Sequence, residues 1–418
     1  LSMKRWSIWF LAITMVVVAF SSIASAETVL KVWAHHHPPR VEKTQALFDE
    51  FEQLNPDIKI EFTTMPYDAY WNKLLPSMAA GTGPDVLHVH GSWTTKFVGA
   101  KVWEPVPEAV LNEVQIDQWY EGVVNAYKRA GKYYGLPYSS NTWALYYNKD
   151  LFDAAGLDPQ TPPLTWADLI AYGKKLTKFD NGRMMQSGFG LKTKGTHSML
   201  DYFAILNQMG GTVLDENGAP ALNTSVARDA LSFYVSLVKE HRLNDPDFLP
   251  GEEGFPQGKT AMHTAGSWFG DQMDMQYPDL NYGVALMPRM EGAQPLTCDI
   301  GSWGWSVSAR SKNKDAAMRL FTFLNTRDSH VALFGVEGMP ARADVVADAR
   351  IEQLVVQKPD LGVFMQGAEH SVFIGDTVDW PRFEAAITAR LESIFYDNVG
   401  IDQALAGMQK DAEKIMGR

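Results

Sequence analysis

Past residue 28 the chain alternates short apolar runs with segments whose apolar residues recur every three or four positions. Residues 29–33 are nearly all apolar and predict a buried strand. Pro38-Pro39 open a helix whose inner face is Val41, Leu47, Phe48, Phe51 and Leu54, and Asn55-Pro56 ends it. Ile58, Ile60 and Phe62 alternate with Lys59, Glu61 and Thr63, the pattern of a half-buried strand. A helix over 68–80 follows, bent at Pro76. Gly81-Thr82-Gly83-Pro84 then turn the chain into a strand at 85–89. Strands separated by helices imply crossovers and a mainly parallel sheet. Ligands of such sheets bind beyond the carboxyl ends of the strands. The segments at those ends are His35-His36-His37 and His90-Gly91-Ser92-Trp93, where the core pattern gives way to polar and aromatic residues.

The middle of the chain is mixed. A turn-rich passage at 135–141 leads into an apolar strand, Leu145-Tyr146-Tyr147-Asn148. A Pro-rich loop over 158–165 ends at Thr165, placed to cap a helix that begins at Trp166. Thr260-Ala261-Met262 enters a second aromatic turn, Ala265-Gly266-Ser267-Trp268-Phe269. Near the end, Ile401, Leu405, Met408, Ala412 and Ile415 form one helical stripe. No internal repeat or low-complexity tract interrupts this order.

The first 26 residues follow another pattern. Lys4 and Arg5 precede an uncharged stretch at 8–20, and Ala24-Ser25-Ala26 fits a small-x-small cleavage site. That layout predicts a secretory signal peptide over 1–26. Its apolar run is shorter than the roughly 18 residues that mark a membrane-spanning helix. Glu27, not Cys, follows the cleavage site, so the expected product carries no lipid anchor and is released into the periplasm. The 418 residues are enough for two or three domains, with 46% hydrophobic and 21% charged residues. The single cysteine, Cys298, permits no internal disulfide. A formal charge of −12 argues against nucleic acid as a partner.

Of the 13 tryptophans, Trp6 and Trp9 belong to the leader, whereas Trp93, Trp268, Trp303 and Trp305 sit in or beside Gly/Ser turns. An indole face suits the CH surface of a sugar ring, whose hydroxyls seek hydrogen bonds at the edge. Any one of these indoles is as readily explained by core packing. Three consecutive histidines point in different directions and seldom hold one metal ion together. Hydrogen bonding to a ligand and ordinary packing both stay open for them, as for His88 and His90. The segment Gly301-Ser302-Trp303-Gly304 misses the nucleophile elbow, and no phosphate loop, dinucleotide fingerprint or HExxH appears. No cofactor is implied. Paired carboxylates of a glycoside hydrolase are the enzymatic alternative that spacing leaves open.

Several short motifs in fixed order give these elements a context. They are Gly83-Pro84-Asp85-Val86-Leu87, then Gly135-Leu136-Pro137 followed by the stretch from Leu145 to Phe152. Gly258-Lys259-Thr260-Ala261-Met262, Gly266-Ser267-Trp268, Gly301-Ser302-Trp303-Gly304 and Lys312-Asn313-Lys314-Asp315-Ala316-Ala317 come next. In this order the chain resembles the extracellular solute-binding proteins of bacterial ABC transporters, in the branch with the maltose- and glycerol-phosphate-binding proteins. The resemblance implies an α/β, two-lobed periplasmic-binding-protein fold of type II, each lobe a mainly parallel sheet flanked by helices. It places one lobe at 27–138 and 287–328 and the other at 139–286 and 329–418, with hinge crossings near 137–141, near 282–287 and after Leu324. It implies capture of a sugar or similar polyhydroxylated solute, delivery by a monomeric protein to membrane permease subunits, and no enzymatic turnover. Carried over, the ligand contacts are His36, His37, His90, Ser92, Trp93, Asn141, Ser267, Trp268, Gly301, Trp303 and Arg342. Related sugar binders can carry Asp or Glu where this chain has Ser92 and Asn141, which leaves the particular sugar open. A glycerol-phosphate-type binder is the alternative within the family.

Overall fold

A computed structural model describes residues 27–195, 198–299, 301–334, 338–375 and 379–417. The leader predicted over 1–26 lies outside them. β1 (Thr28–His35) runs parallel to β2 (Ile58–Met65) on one side and to β3 (Val86–His90) on the other. Every position of β3 is buried, as an interior strand covered on both faces must be. β1 and β2 are joined by α1 (Pro38–Leu54), and α2 (Tyr67–Ala79), which contains Pro76, follows β2. In α1 the expected inner face holds at Leu47, Phe48 and Phe51, but Leu54 is exposed where the helix ends.

Two further strands complete this sheet, Trp303–Val307 against β3 and Leu136–Pro137 at the edge, both antiparallel. The second sheet has Trp143–Asn148 at its centre, antiparallel to both Met262–Gly266 and Tyr282–Leu286. In these two main sheets the expectation of mainly parallel pairing is therefore met only at β2-β1-β3, although the small pair Thr297–Asp299 with Ser371–Phe373 is parallel as well. The reason is topological. Met262–Gly266 and Tyr282–Leu286 run in the same direction and are linked by the helix Ser267–Gln276, an ordinary strand-helix-strand unit. Trp143–Asn148 arrives from the other lobe and inserts between them head to tail. Trp303–Val307 does the same beside β3. Strands built by local crossovers are parallel, and strands delivered by an inter-lobe passage oppose them.

The buried apolar residues divide accordingly. Around the first sheet pack Leu30, Val32, Phe48, Val86, Leu136, Trp305 and Leu320, with an aromatic satellite of Trp33, Tyr70, Trp93, Phe97 and Trp103. Around the second pack Tyr146, Phe203, Leu231, Phe269, Phe383 and Leu405. The chain leaves the first core after Tyr138 and enters the second at Trp143. On the way Ser139–Ser140 pairs with Met339–Pro340, so two passages run side by side. Met287 and Cys298 both lie in the second core, and Trp303 is the first hydrophobic residue of this stretch to pack against the other. Gln208 holds the intervening loop there, its amide donating to the carbonyls of Pro288 (3.0 Å) and Leu296 (3.1 Å). Among the described residues no helix is long and apolar enough to cross a membrane.

Candidate functional site

Three strand termini converge at one edge of the first sheet: the ends of β1 and β3 and the start of the antiparallel strand at Trp303. The Trp303 indole lies 4.2 Å from the His35 ring, stacks on His88 at 4.6 Å and 11°, and meets His90 at 4.9 Å and Trp93 at 5.5 Å, edge to face. Tyr67, at the start of α2, stands perpendicular to it at 6.2 Å and is 48% exposed. The two turns that build this edge depend on glycine. Gly301 has φ +104, and a Cβ there would come within 2.5 Å of the Ser92 nitrogen. Only a residue without a side chain lets the returning chain lie against the Gly91–Trp93 turn.

The imidazoles beneath the indole are neutral. Burial, reinforced by the Arg40 guanidinium, pushes His35 down to about 2, and burial holds His88 well below the ordinary histidine range. Arg40 is itself buried, donating to the His35 carbonyl and lying 3.2 Å from its Nε2, which therefore acts as acceptor. His88 contacts the Tyr138 hydroxyl through Nε2 (3.0 Å), and His90 holds Ser92 through Nδ1 (2.7 Å). This wall is aromatic, with hydrogen-bonding atoms at its rim.

In the second lobe Trp268 is 40% exposed and lines a cavity of about 390 Å³ together with Lys192, Thr193, Asn244, Phe248 and Glu252. The Lys192 ammonium pairs with the Glu252 carboxylate and lies 5.7 Å from the Trp143 ring. Asp201 is buried and accepts from the Thr264 hydroxyl at 2.8 Å. Burial pushes its carboxyl up to about 6, with the Thr264 hydrogen bond and Lys192 opposing the rise. The lobes touch where Lys96 of α3 (Thr94–Gly99) meets Asp379 at 3.5 Å and where Phe373 packs on the aromatic satellite. A further cavity of about 640 Å³ between them is lined by Glu121 and Asn125 from one lobe and by Asn207, Asp215, Glu216 and Ser371 from the other.

The family of bacterial extracellular solute-binding proteins matches residues 37–330. The chain belongs to that family. It is 30% identical to the sn-glycerol-3-phosphate-binding periplasmic protein of Salmonella typhimurium over 71% of this chain and 69% of that one. It is 26% identical to the mannitol-binding protein of Pseudomonas aeruginosa over 90% of each chain. The crystal structure of the cyclic alpha-maltosyl-1,6-maltose binding protein from Arthrobacter globiformis superposes with a TM-score of 0.82 at 21% identity, covering 93% of this chain and 99% of that one. The last likeness speaks to the two-lobed fold.

In this solute-binding protein the residues singled out from sequence fall into two groups. Trp303 is half-buried, His36 is exposed with its Nδ1 3.1 Å from the Thr64 hydroxyl, and His37 and Asn141 are half-buried. Together with Trp268 they present side-chain surface to solvent. His90, Ser92, Trp93, Ser267 and Gly301 are buried. Trp93 is 2% exposed, packed on Tyr70, Trp71, Phe97 and Trp303, so its indole belongs to the core and not to a ligand face. Trp305 is likewise fully buried. Ser267 borders a cavity with Tyr146, Asp274 and Tyr282, apart from the one that Trp268 lines.

Arg342 requires a correction. Its guanidinium is 1% exposed, donates to both oxygens of Asp344 and to the carbonyls of Val114 and Asn325, and covers the Trp119 ring at 4.3 Å. These contacts reach from beside the Met339–Pro340 passage to Val114, Trp119 and Asn325, and no charge is left over for a ligand. Tyr67, Lys192 and Glu252 were missed. Tyr67 follows the end of β2 at the same sheet edge as the histidines, so the strand-end rule applied to all three strands would have found it. Nothing in the local pattern marks Lys192 or Glu252.

Proposed function

We propose that this protein is the substrate-binding component of an ABC importer, which captures a sugar or similar polyhydroxylated solute between its lobes and delivers it to permease subunits. The observation that carries the proposal is the pairing of exposed aromatic faces with rim hydrogen-bonding groups on both lobes. Tyr67 and half-buried Trp303 belong to the first lobe and exposed Trp268 to the second. A flat indole takes the CH face of a pyranose, and the imidazole, hydroxyl and amide groups around it take the hydroxyls. His36, His37, Asn141, Trp268 and Trp303 are the contacts we assign, with Tyr67 added. The lobes we assign are 27–138 with 303–328, and 143–298 with the C-terminal part of the chain. Residues 1–26 would direct export and be removed, leaving an unanchored, periplasmic monomer that performs no chemistry on its ligand.

Closure follows from differential binding, since a ligand favours the closed form only by the contacts it makes there and not in the open form. Turning a 1:99 equilibrium into 99:1 takes about 5.5 kcal/mol, within reach of two aromatic faces and several hydrogen bonds. A neutral ligand is favoured over a glycerol phosphate because Arg342 is consumed internally and Arg40 is held by His35. The test is a thermal-shift screen of monosaccharides, oligosaccharides, polyols and glycerol phosphates. Stabilisation by neutral members supports the reading. Stabilisation by sn-glycerol 3-phosphate alone, or the release of new products from an oligosaccharide, refutes it.

A further inference from the structure

The cavity beside Trp268 holds an unusual pair for a ligand wall. Lys192 is a largely buried cation, 11% exposed, and its partner Glu252 is 34% exposed. Both line the cavity alongside the exposed indole. Glu252 is the ion-pair partner of Lys192, at the edge of the same cavity. The other cation in the lining, Lys194, lies over the Tyr396 ring at 5.5 Å.

We infer that Lys192 and Glu252 form a diol-reading pair that makes the second lobe selective for a neutral ring with adjacent hydroxyls and rejects its anionic counterparts. This rests on the reading of the protein as a sugar binder and adds the residues that set the ligand's charge. A hydroxyl both donates and accepts. One hydroxyl therefore accepts from the ammonium while its neighbour donates to the carboxylate, two charge-assisted bonds from groups that the ion pair already holds in place. A carboxylate or phosphate at the same position would meet Lys192 already neutralised and Glu252 as a like charge. Selectivity thus comes from a repulsive group as much as from an attractive one.

The test uses the full chain and isothermal titration with glucose, galactose, arabinose, mannitol and maltotriose, and with glucuronate and sn-glycerol 3-phosphate as anionic probes. Unmodified protein should bind at least one neutral probe and neither anion. Lys192→Gln and Glu252→Gln, each titrated well below its own unfolding transition, should weaken the neutral probe at least ten-fold. Glu252→Gln should also gain measurable affinity for glucuronate, because it frees the Lys192 charge. If the unmodified protein binds no neutral probe, the sugar-binding reading fails and takes this inference with it. If it binds one and both variants bind it equally well, the inference alone is overturned. Variants that melt earlier but keep the parent dissociation constant would show a loop clamp, which also overturns it.

Discussion

Arg342→Ala separates two accounts of one side chain. Sequence resemblance puts Arg342 in the ligand cleft, whereas the structure uses its guanidinium as an internal strut. Truncation would strip Asp344, whose side chain is only 19% exposed, of its counter-ion. It would also leave the carbonyls of Val114 (3.0 Å) and Asn325 (2.8 Å) without their donor and uncover the Trp119 ring. Removing one partner of a buried pair destabilises by about 3–5 kcal/mol. For a unit the size of one lobe, that is a drop in melting temperature on the order of 10 °C. Calorimetry of the unliganded variant gives the stability, and titration well below its transition gives affinity for whichever sugar stabilises the parent. The expected result is a large fall in melting temperature with affinity changed less than about three-fold. A variant that melts with the parent but no longer binds would refute the strut and return Arg342 to the cleft.

Trp303→Ala should weaken binding strongly and also lower unliganded stability by about 2–3 kcal/mol, less than the 3–5 of a fully buried aromatic, because half-buried Trp303 touches five other rings. Unchanged unliganded melting would contradict the packing described above. Lys96→Ala removes a partly exposed contact between the lobes, and affinity should move less than about five-fold in either direction. Acidification should destabilise the protein. His35, His88, His263 and His330 all have folded values below the ordinary 6.5, chiefly through burial, with His263 brought down to about 3. Their contribution is complete above pH 6.5 and is lost as pH falls toward the folded values. Asp201 has the opposite sign. Its value is raised from 3.8 to about 6, so its contribution is present below 3.8 and is lost as pH rises through 6. Urea midpoints measured from pH 7.5 to 4.5 should therefore fall, and fall more steeply in Asp201→Asn. A midpoint that rises on acidification would mean these imidazoles are protonated in the folded state.

What could be read from the chain depended on whether the signal was local. The 17-residue helix that opens at Pro38-Pro39 and the Thr165 cap, which accepts from the Asp168 nitrogen at 3.1 Å, follow from residues a few positions apart. So does the stripe at the C-terminus, where Leu405, Met408 and Ala412 are fully buried. The direction of Trp143–Asn148 and the return after Cys298 do not. Both depend on which lobe a segment enters, a choice enforced at a distance by contacts such as Gln208 to Leu296.

The candidate site divides along the same line. A turn-borne indole is easy to notice, but its exposure depends on what packs behind it. Trp93 and Trp303 look alike as Gly/Ser-turn tryptophans, and they differ because α2 and α3 close over the first while Trp303 lies at the rim. Lys192 and Glu252 are the hardest case, being 60 residues apart with nothing distinctive on either side. A charge matters to a binding wall only once its partner is known, because a lone lysine attracts anions and a paired one, with its carboxylate facing the ligand, turns them away. Sequence lists the charges but not the pairing, so the sign of selectivity becomes visible only when the chain has folded.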